Sequence, residues 1–403
     1  MPANGRTVHI AGAGIAGLTL ALALAKFGVN VVVLERNPAL SAFGAGLQIS
    51  PNARRILDRL GLSEAIGARS FEPQGIDVYP FRHGQPLVTL ELGEAVRARY
   101  ASPYAVMHRA DLAEVLHAAC KRFANIEIVF GVEQLSVESR DGGVLVSAPQ
   151  LAAIGRSGEG FAFVGADGLH SPTRRKSLGG PDARYAGRLA WRALVPLEAT
   201  RGLIAPDRTS LLLGPGYHLV AYPLPHRGLA NVVVFSPARR PQADAESRPT
   251  RPDLPRASTR DPRLSALLSL AGDTWTAWPL YTVRTGDWHR GNISLIGDAA
   301  HAMLPFQAQG AAMAIEDAAV LAPLLATSPD AGTAFRRYQM ARQRRVTRVA
   351  RVSRANGDIF HMRWPLALAR NAAMRMGGAQ SHFRRLDWLY GYDAEAGTSP
   401  GTT

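Results

Sequence analysis

Apolar and polar positions along the chain change period several times, and each change marks an element. Thr7 to Ala11 is a short β-type run, after which Leu18, Leu22 and Ala25 recur at helical spacing. A second strand runs from Val29 to Leu34 and stops at Glu35-Arg36. Ala53 to Leu60 reads as a helix with Asn52 as its cap. Residues 73 to 103 alternate (Ile76, Val78; Leu87, Leu90) as strands crossing into a second lobe. His108-Arg109-Ala110-Asp111-Leu112 opens a helix, and residues 126 to 164 read as strands separated by Asp141-Gly142-Gly143 and Ser157-Gly158-Glu159-Gly160. Residues 185 to 236 form antiparallel-type strands; residues 237 to 263, rich in Pro, Arg, Ser and Asp, read as a poorly ordered connector before a helix at Leu264 to Leu270.

The third part of the pattern is the most informative. The apolar run Ile293 to Ile296 stops at Gly297-Asp298, as a buried strand does at a turn. A loop with Pro305 follows, and a small-residue helix starts at Gln309-Gly310 and runs through Ala311, Ala314, Ala318 and Leu321. Residues 333 to 356 are helical and dense in arginine, with Phe335, Tyr338, Val349 and Val352 as the inner stripe and a solvated basic outer face. Trp388 to Asp393 is expected to pack rather than catalyse, and the last residues to fray.

Chemistry enters first at Gly12-Ala13-Gly14-Ile15-Ala16-Gly17, which sits between a strand and a helix. Gly12 makes the turn, Gly14 lets a pyrophosphate approach, and Gly17 lets helix meet strand. Glu35 falls about 20 residues on, where an acid binds adenosine ribose hydroxyls. This is a dinucleotide fingerprint, and it does not by itself separate FAD from NAD. No second copy of it exists in the chain, so one dinucleotide is resident.

Composition narrows the reading. A chain of 403 residues buries a large core, in two interlocked lobes. No run approaches the ~20 apolar residues of a membrane span, and the N-terminal apolar stretch is broken by glycines, unlike a signal peptide. The single Cys120 excludes an internal disulfide and a cysteine-based metal cluster; no metal is expected, and the cytoplasm is the simplest address. The net charge of +14 comes from scattered arginines, with Lys26, Lys121 and Lys176 the only lysines. No nucleic-acid-binding motif accompanies it, so a nucleic-acid partner is not expected; a positive field also attracts small anions and a phosphorylated nicotinamide.

Asp298 is placed to accept bonds from hydroxyls, and the free N–H groups of the Gly310 helix to face a ring that becomes anionic when reduced. With Gly12 to Gly17 and Gly165-Ala166-Asp167-Gly168, these residues resemble the three flavin motifs of the single-component, FAD-dependent aromatic hydroxylases, the salicylate and hydroxybenzoate hydroxylase family. The resemblance spans nearly the whole chain. It implies an α/β fold of the p-hydroxybenzoate hydroxylase type, in which a Rossmann-like FAD-binding domain (residues 1–73, 104–178 and 285–330) joins a substrate domain with a mixed, largely antiparallel sheet (74–103 and 179–284) and a C-terminal helical segment (331–403). It implies FAD held non-covalently by Gly12, Gly14, Gly17, Glu35, Arg36, Gln48, Arg109, Asp167, Asp298, Pro305, Gln309 and Gly310. NADH or NADPH visits to reduce the flavin, O2 adds to give a peroxyflavin, and its distal oxygen passes to a small aromatic, phenolic substrate.

His218 and Tyr222, four apart on one strand face, resemble the His and Tyr that line the phenol pocket in hydroxybenzoate and hydroxynicotinate relatives. His218 is the expected base, since a free imidazole titrates near pH ~6.5. Gln307 is expected near the substrate ring, and Arg192 is available to a substrate carboxylate. Trp275 and Trp278 are separated by two residues, and no lysine follows Lys176, which excludes a flavin halogenase. The expected assembly is a monomer or homodimer without stable membrane insertion. Two other readings stay open: a membrane-surface hydroxylase or epoxidase of a lipid or quinone precursor, and a flavoprotein that binds or senses a ligand without hydroxylating it.

Overall fold

The computed structural model describes residues 5–40, 44–82, 84–239, 252–255, 258 and 260–396. Most of the expected connector at 237–263 and the expected frayed tail lie outside the described residues.

The first strand, Thr7–Ala11, is central in a six-stranded sheet. Its neighbours are Asn30–Leu34 and Ala162–Gly165, both parallel to it, with Ile126–Val129 beyond one and Ile293–Leu295 beyond the other. Val8, Ile10, Val31, Val33 and Val164 are all buried, because both faces of the sheet are covered. Helices Ile15–Ala25, Arg109–Cys120 and Gly310–Thr327 share one core with the sheet. A small antiparallel sheet, with strands Ser136–Arg140 and Gly143–Ser147, packs Val144 and Val146 with Val32, Leu34 and Phe163.

The second large sheet has seven strands in the order Thr276–Thr282, Arg184–Pro196, Leu229–Pro237, Tyr217–Leu224, Arg208–Gly214, Gly75–Tyr79 and Val88–Glu91. Every pairing in it is antiparallel except Gly75–Tyr79 with Arg208–Gly214. The strand Tyr217–Leu224 shows the alternation that this demands. Tyr217, Leu219 and Ala221 enter a core with Leu264, Leu267 and Trp275. His218, Val220 and Tyr222 face the other way, into a cavity. Two long helices, Ala331–Phe360 and Leu366–Tyr390, follow, and both contribute to the cavity wall.

The architecture is the mixed α/β one expected, and several local readings need correction. Gly93–Tyr100 is a helix inside the stretch read as strands, with its apolar Val96 and Tyr100 turned into the core. Pro149–Ala153 is a helical turn within the stretch 126 to 164, started by proline at its first position. Asn52 does not cap its helix. That helix spans Pro51–Arg59 with Ser50 at the cap position, and Asn52 is buried with its side chain turned to other polar groups. The arginine-dense helix is not uniformly solvated, since Arg342 is completely buried.

Candidate flavin and substrate site

The glycine loop comes off the end of the first sheet's central strand. Gly12 has φ +102°, and a Cβ on it would lie 2.6 Å from the Ala166 carbonyl oxygen. Gly17 presses against the Gly12 carbonyl, so the helix starts hard against the strand. Gly14 has open space where a side chain would be, and it lines the cavity. The carboxylate of Glu35 accepts from the Ala13 amide at 2.7 Å and the Asn37 amide at 2.9 Å, which fixes it beside this loop. Arg36 is exposed at the strand end and is not among the cavity-lining residues.

Asp167 follows the strand Ala162–Gly165. One carboxylate oxygen accepts from the Thr173 amide (2.9 Å) and hydroxyl (2.7 Å). The other, Oδ1, is buried with no partner among the described residues. Its neighbours Ala166 and Gly168 line the cavity. A buried and unpaired carboxylate oxygen is a demand for a hydroxyl or amide partner.

The Gly297-Asp298 turn is held by a buried charge cluster. Gly297 has φ +58°, and a Cβ there would lie 3.1 Å from Ala314 and 3.2 Å from Ala16, so only glycine fits. Its amide donates to Asp317 at 3.0 Å. Asp317 also pairs with His301 (2.6 Å) and Arg342 (2.8 Å), and Arg342 and Arg345 both bind Glu316 at 2.6 Å. Burial alone would raise the Asp317 pKa, but His301 and Arg342 pull it well below the usual carboxylate range. Asp298 itself is exposed and lines the cavity, as do Pro305, Gln307 and Gly310.

Gly310 begins the 18-residue helix that ends at Thr327. Gln309 gives that helix no side-chain cap. Its side chain is buried instead, donating to Ser50 Oγ at 2.9 Å and accepting from Asn52 at 3.2 Å, so of this pair only Gly310 faces the cavity. The first N–H groups of the helix are therefore directed at the cavity and favour negative charge there. Ala308, at φ +53°, bears the backbone strain of the turn that aims them.

These parts open on one cavity of about 1030 Å³. Gln48 and Arg109 line it from the flavin-motif side. Arg109 starts its helix, with His108 Nδ1 accepting from the Ala110 amide. Across the cavity stand His218, Tyr222 and Arg192. His218 is buried, stacked on Phe235 with centroids 4.6 Å apart and met edge-on by Phe306 and Phe360 at 5.2 Å. Burial, with help from His361 and Arg188, holds its pKa well below the ordinary histidine value, so it is neutral near pH 7. Burial raises the Tyr222 phenol, with Arg192 opposing. Arg192 has no ion-pair partner among the described residues, its Nε is buried and unpaired, and its guanidinium lies 5.4 Å from the Trp278 ring centroid.

Sequence reasoning missed several cavity residues. Tyr104 bonds Gln48 and is flanked by Tyr390, whose ring centroid lies 6.2 Å away. Asn356 bonds Gln307, and His361 bonds His218 Nδ1 at 2.8 Å. Asn356 and His361 sit at the end of the arginine-dense helix, where the chain has no local signal beyond helical period. Tyr104, just upstream of the His108-Arg109 signature, was findable as an aromatic leading into it.

The residues fit a dinucleotide of the FAD type: open space at Gly14 and Gly310, an exposed Asp298 carboxylate and a helix N-terminus on one groove, with an unpaired Asp167 oxygen between the groove-lining Ala166 and Gly168. The description "FAD binding domain" matches residues 6–353. The chain is 36% identical over 398 residues to 3-amino-4-hydroxybenzoate 2-monooxygenase PtnB3 of Streptomyces platensis, covering 96% of each chain. It is 33% identical over 389 residues to 3-hydroxybenzoate 6-hydroxylase 1 of Aquipseudomonas alcaligenes, covering 95% of this chain and 97% of that one. The crystal structure of Klebsiella pneumoniae HpxO complexed with FAD and uric acid superposes with a TM-score of 0.81 at 25% identity, over 94% of this chain and 95% of that one. A glycine loop, the Asp298 carboxylate and a helix N-terminus on one groove, in a chain matched end to end by these enzymes, place this protein in the family of FAD-dependent aromatic monooxygenases.

Proposed function

We propose that this enzyme hydroxylates a phenolic aromatic acid, with FAD resident and NAD(P)H and O2 as co-substrates, in the cytoplasm. One observation carries the substrate class: Arg192, an unpaired guanidinium, shares a cavity with the neutral imidazole of His218. A half-buried cation without a carboxylate partner leaves part of its desolvation uncompensated until an anion arrives. A neutral imidazole beside it can take a phenol proton. Both relatives named above act, by their names, on hydroxylated benzoates, which carry these two groups.

Gly14, Asp167, Asp298, Arg109 and the Gly310 helix would hold FAD. Bound there, FAD supplies the redox and oxygen-transfer chemistry. The chain's own share is to orient the ring, exclude water and control one proton. Tyr222, Phe235 and Phe306 wall the ring position, Gln307 is steadied by Asn356, and Arg192 anchors the carboxylate. His218 Nδ1 is taken by His361, which leaves Nε2 as the nitrogen for the substrate hydroxyl.

A second feature supports a longer substrate. The same cavity continues between Ile76, Val78 and Leu90 on the seven-stranded sheet and Leu366, Ala373 and Met374 on the last helix. That apolar lobe suits a phenolic acid with an apolar appendage. The deciding experiment is a panel of plain and alkyl- or aryl-substituted hydroxybenzoates, scored for stimulated NAD(P)H oxidation and product mass. Arg192→Leu is expected to raise KM for the acids about tenfold or more, with little change for uncharged phenols. Stimulation by uncharged phenols alone would remove the carboxylate reading.

A further inference from the structure

The C-terminal helices bring a second histidine to the site. His361 caps the end of the Ala331–Phe360 helix, far in sequence from the strand that carries His218. Its Nε2 lies 2.8 Å from His218 Nδ1, and the rings are 5.0 Å apart. Its carbonyl accepts from the Gly216 amide at 3.1 Å, which pins the helix end to the hairpin preceding His218. The other ring nitrogen, Nδ1, is buried and has no partner among the described residues. The charges that act on His361 are Arg188, whose Nη1 is also buried and unpaired among the described residues, and Asp358, which is exposed and bonds Arg188 at 2.8 Å.

We propose that His361 is a positioning residue that sets the His218 tautomer and takes up the His218 Nδ1 proton as His218 accepts the phenol proton. This rests on the reading of His218 as the base. The two imidazoles form a chain from His218 Nε2 at the cavity to the buried Nδ1 of His361. In the starting tautomer the His218 proton is on Nδ1 and is donated to His361 Nε2, so Nε2 of His218 presents a lone pair to the substrate. When the phenol O–H bond breaks, a new N–H forms at His218 Nε2. The His218 Nδ1–H bond breaks and a new N–H forms at His361 Nε2. His361 then carries the positive charge until the proton returns by the same two bonds to the product oxygen. The phenolate remains, facing His218 Nε2–H as a donor and Arg192 as a cation. The groups facing the pair are Arg188, from the strand Arg184–Pro196, which disfavours charge on both rings, and Asp358, on the same helix as His361, which favours it there. Burial also keeps both rings neutral at rest, so the pair is free to take a proton when substrate binds.

The test uses the FAD-loaded enzyme with 3-hydroxybenzoate or 3-amino-4-hydroxybenzoate, whichever stimulates NAD(P)H oxidation. His361→Gln can still bond His218 but cannot take up a proton, and His361→Leu removes both functions. In His361→Gln, kcat at neutral pH is expected to fall about tenfold or more with KM nearly unchanged, and activity to recover as pH rises. In His361→Leu, KM is expected to change as well. In both, flavin content and flavin reduction stay near wild type, and the ultraviolet difference spectrum of bound substrate shows less phenolate at neutral pH. Wild-type kcat, pH profile and phenolate fraction in His361→Gln, while His218→Gln is slow, would overturn the proposal alone. Normal turnover of His218→Gln across pH, or no stimulation by either acid, would instead overturn the functional reading beneath it. Should His361→Leu fail to fold, His361→Gln decides the matter.

Discussion

Gly46 and Tyr222 touch where the flavin-motif side of the molecule meets the substrate sheet: a Cβ on Gly46 would lie 2.6 Å from a Tyr222 ring carbon. The Gly46 amide also donates to Asn231 at 2.9 Å, on the strand beside Tyr222. Glycine is required here for close approach rather than for an unusual backbone angle. Gly46→Ala is expected to displace Tyr222 and to cost about 1–3 kcal/mol, as overpacking does. A double-mutant cycle checks the cause. In a Tyr222→Leu background, the stability cost of Gly46→Ala should shrink sharply, and an unchanged cost would place the strain elsewhere.

Asp298 and Asp167 differ in how they reach the cavity, and their variants should differ too. Asp298 is exposed and makes no hydrogen bond that holds the turn among the described residues, whereas Asp167 also binds Thr173. Asp298→Ala is expected to weaken FAD about tenfold to a hundredfold with little change in apoprotein stability. Asp167→Ala should weaken FAD and also lower the apoprotein melting temperature. Flavin absorbance per protein after gel filtration, with melting curves of the apoproteins, measures both.

The buried cluster under the Gly297 turn gives a stability prediction. Arg342 serves Glu316 and Asp317, and all three side chains are fully buried. Removing the cation leaves Glu316 to Arg345 alone and Asp317 to His301 alone, so Arg342→Met is expected to cost about 3–5 kcal/mol and to loosen the Asp298 turn with it. Asp317 is held below its ordinary pKa, so its contribution is complete above about pH 4 and is lost as pH falls further. Urea titration of Arg342→Met at neutral pH, and acid titration of wild type against Asp317→Asn, are the measurements.

His361 adds a second acid sensitivity at milder pH. Burial lowers its pKa from 6.5 to about 4. A histidine buried neutral stabilises the fold above its unfolded pKa, and that stability is lost as pH falls from about 6.5 toward 4. The loss amounts to about 3 kcal/mol, from roughly 1.4 kcal/mol per pKa unit. Denaturation midpoints of wild type between pH 7 and 4 should fall more steeply than those of His361→Gln, and parallel slopes would mean that His361 is charged in the fold.

The dinucleotide loop, the two Asp-containing turns and the small-residue helix were legible because each is a local device. A strand end, a glycine needed for close approach and a free helix N-terminus act over a few residues, and the chain writes them consecutively. The alternation of His218, Val220 and Tyr222 was legible for the same reason, since strand period alone puts them on one face. What no local pattern carried was which distant groups complete these parts. Asn356 and Tyr104 meet the cavity, and His361 meets His218, only because the C-terminal helices fold back over the seven-stranded sheet and Tyr104 leads into the central strand of a small sheet. Arg342 looked like one more residue of a basic face until the packing of two helices put it against Glu316 and Asp317. Burial, pairing and proton affinity depend on neighbours that lie more than a hundred residues away for His218, and only the tertiary structure supplies them.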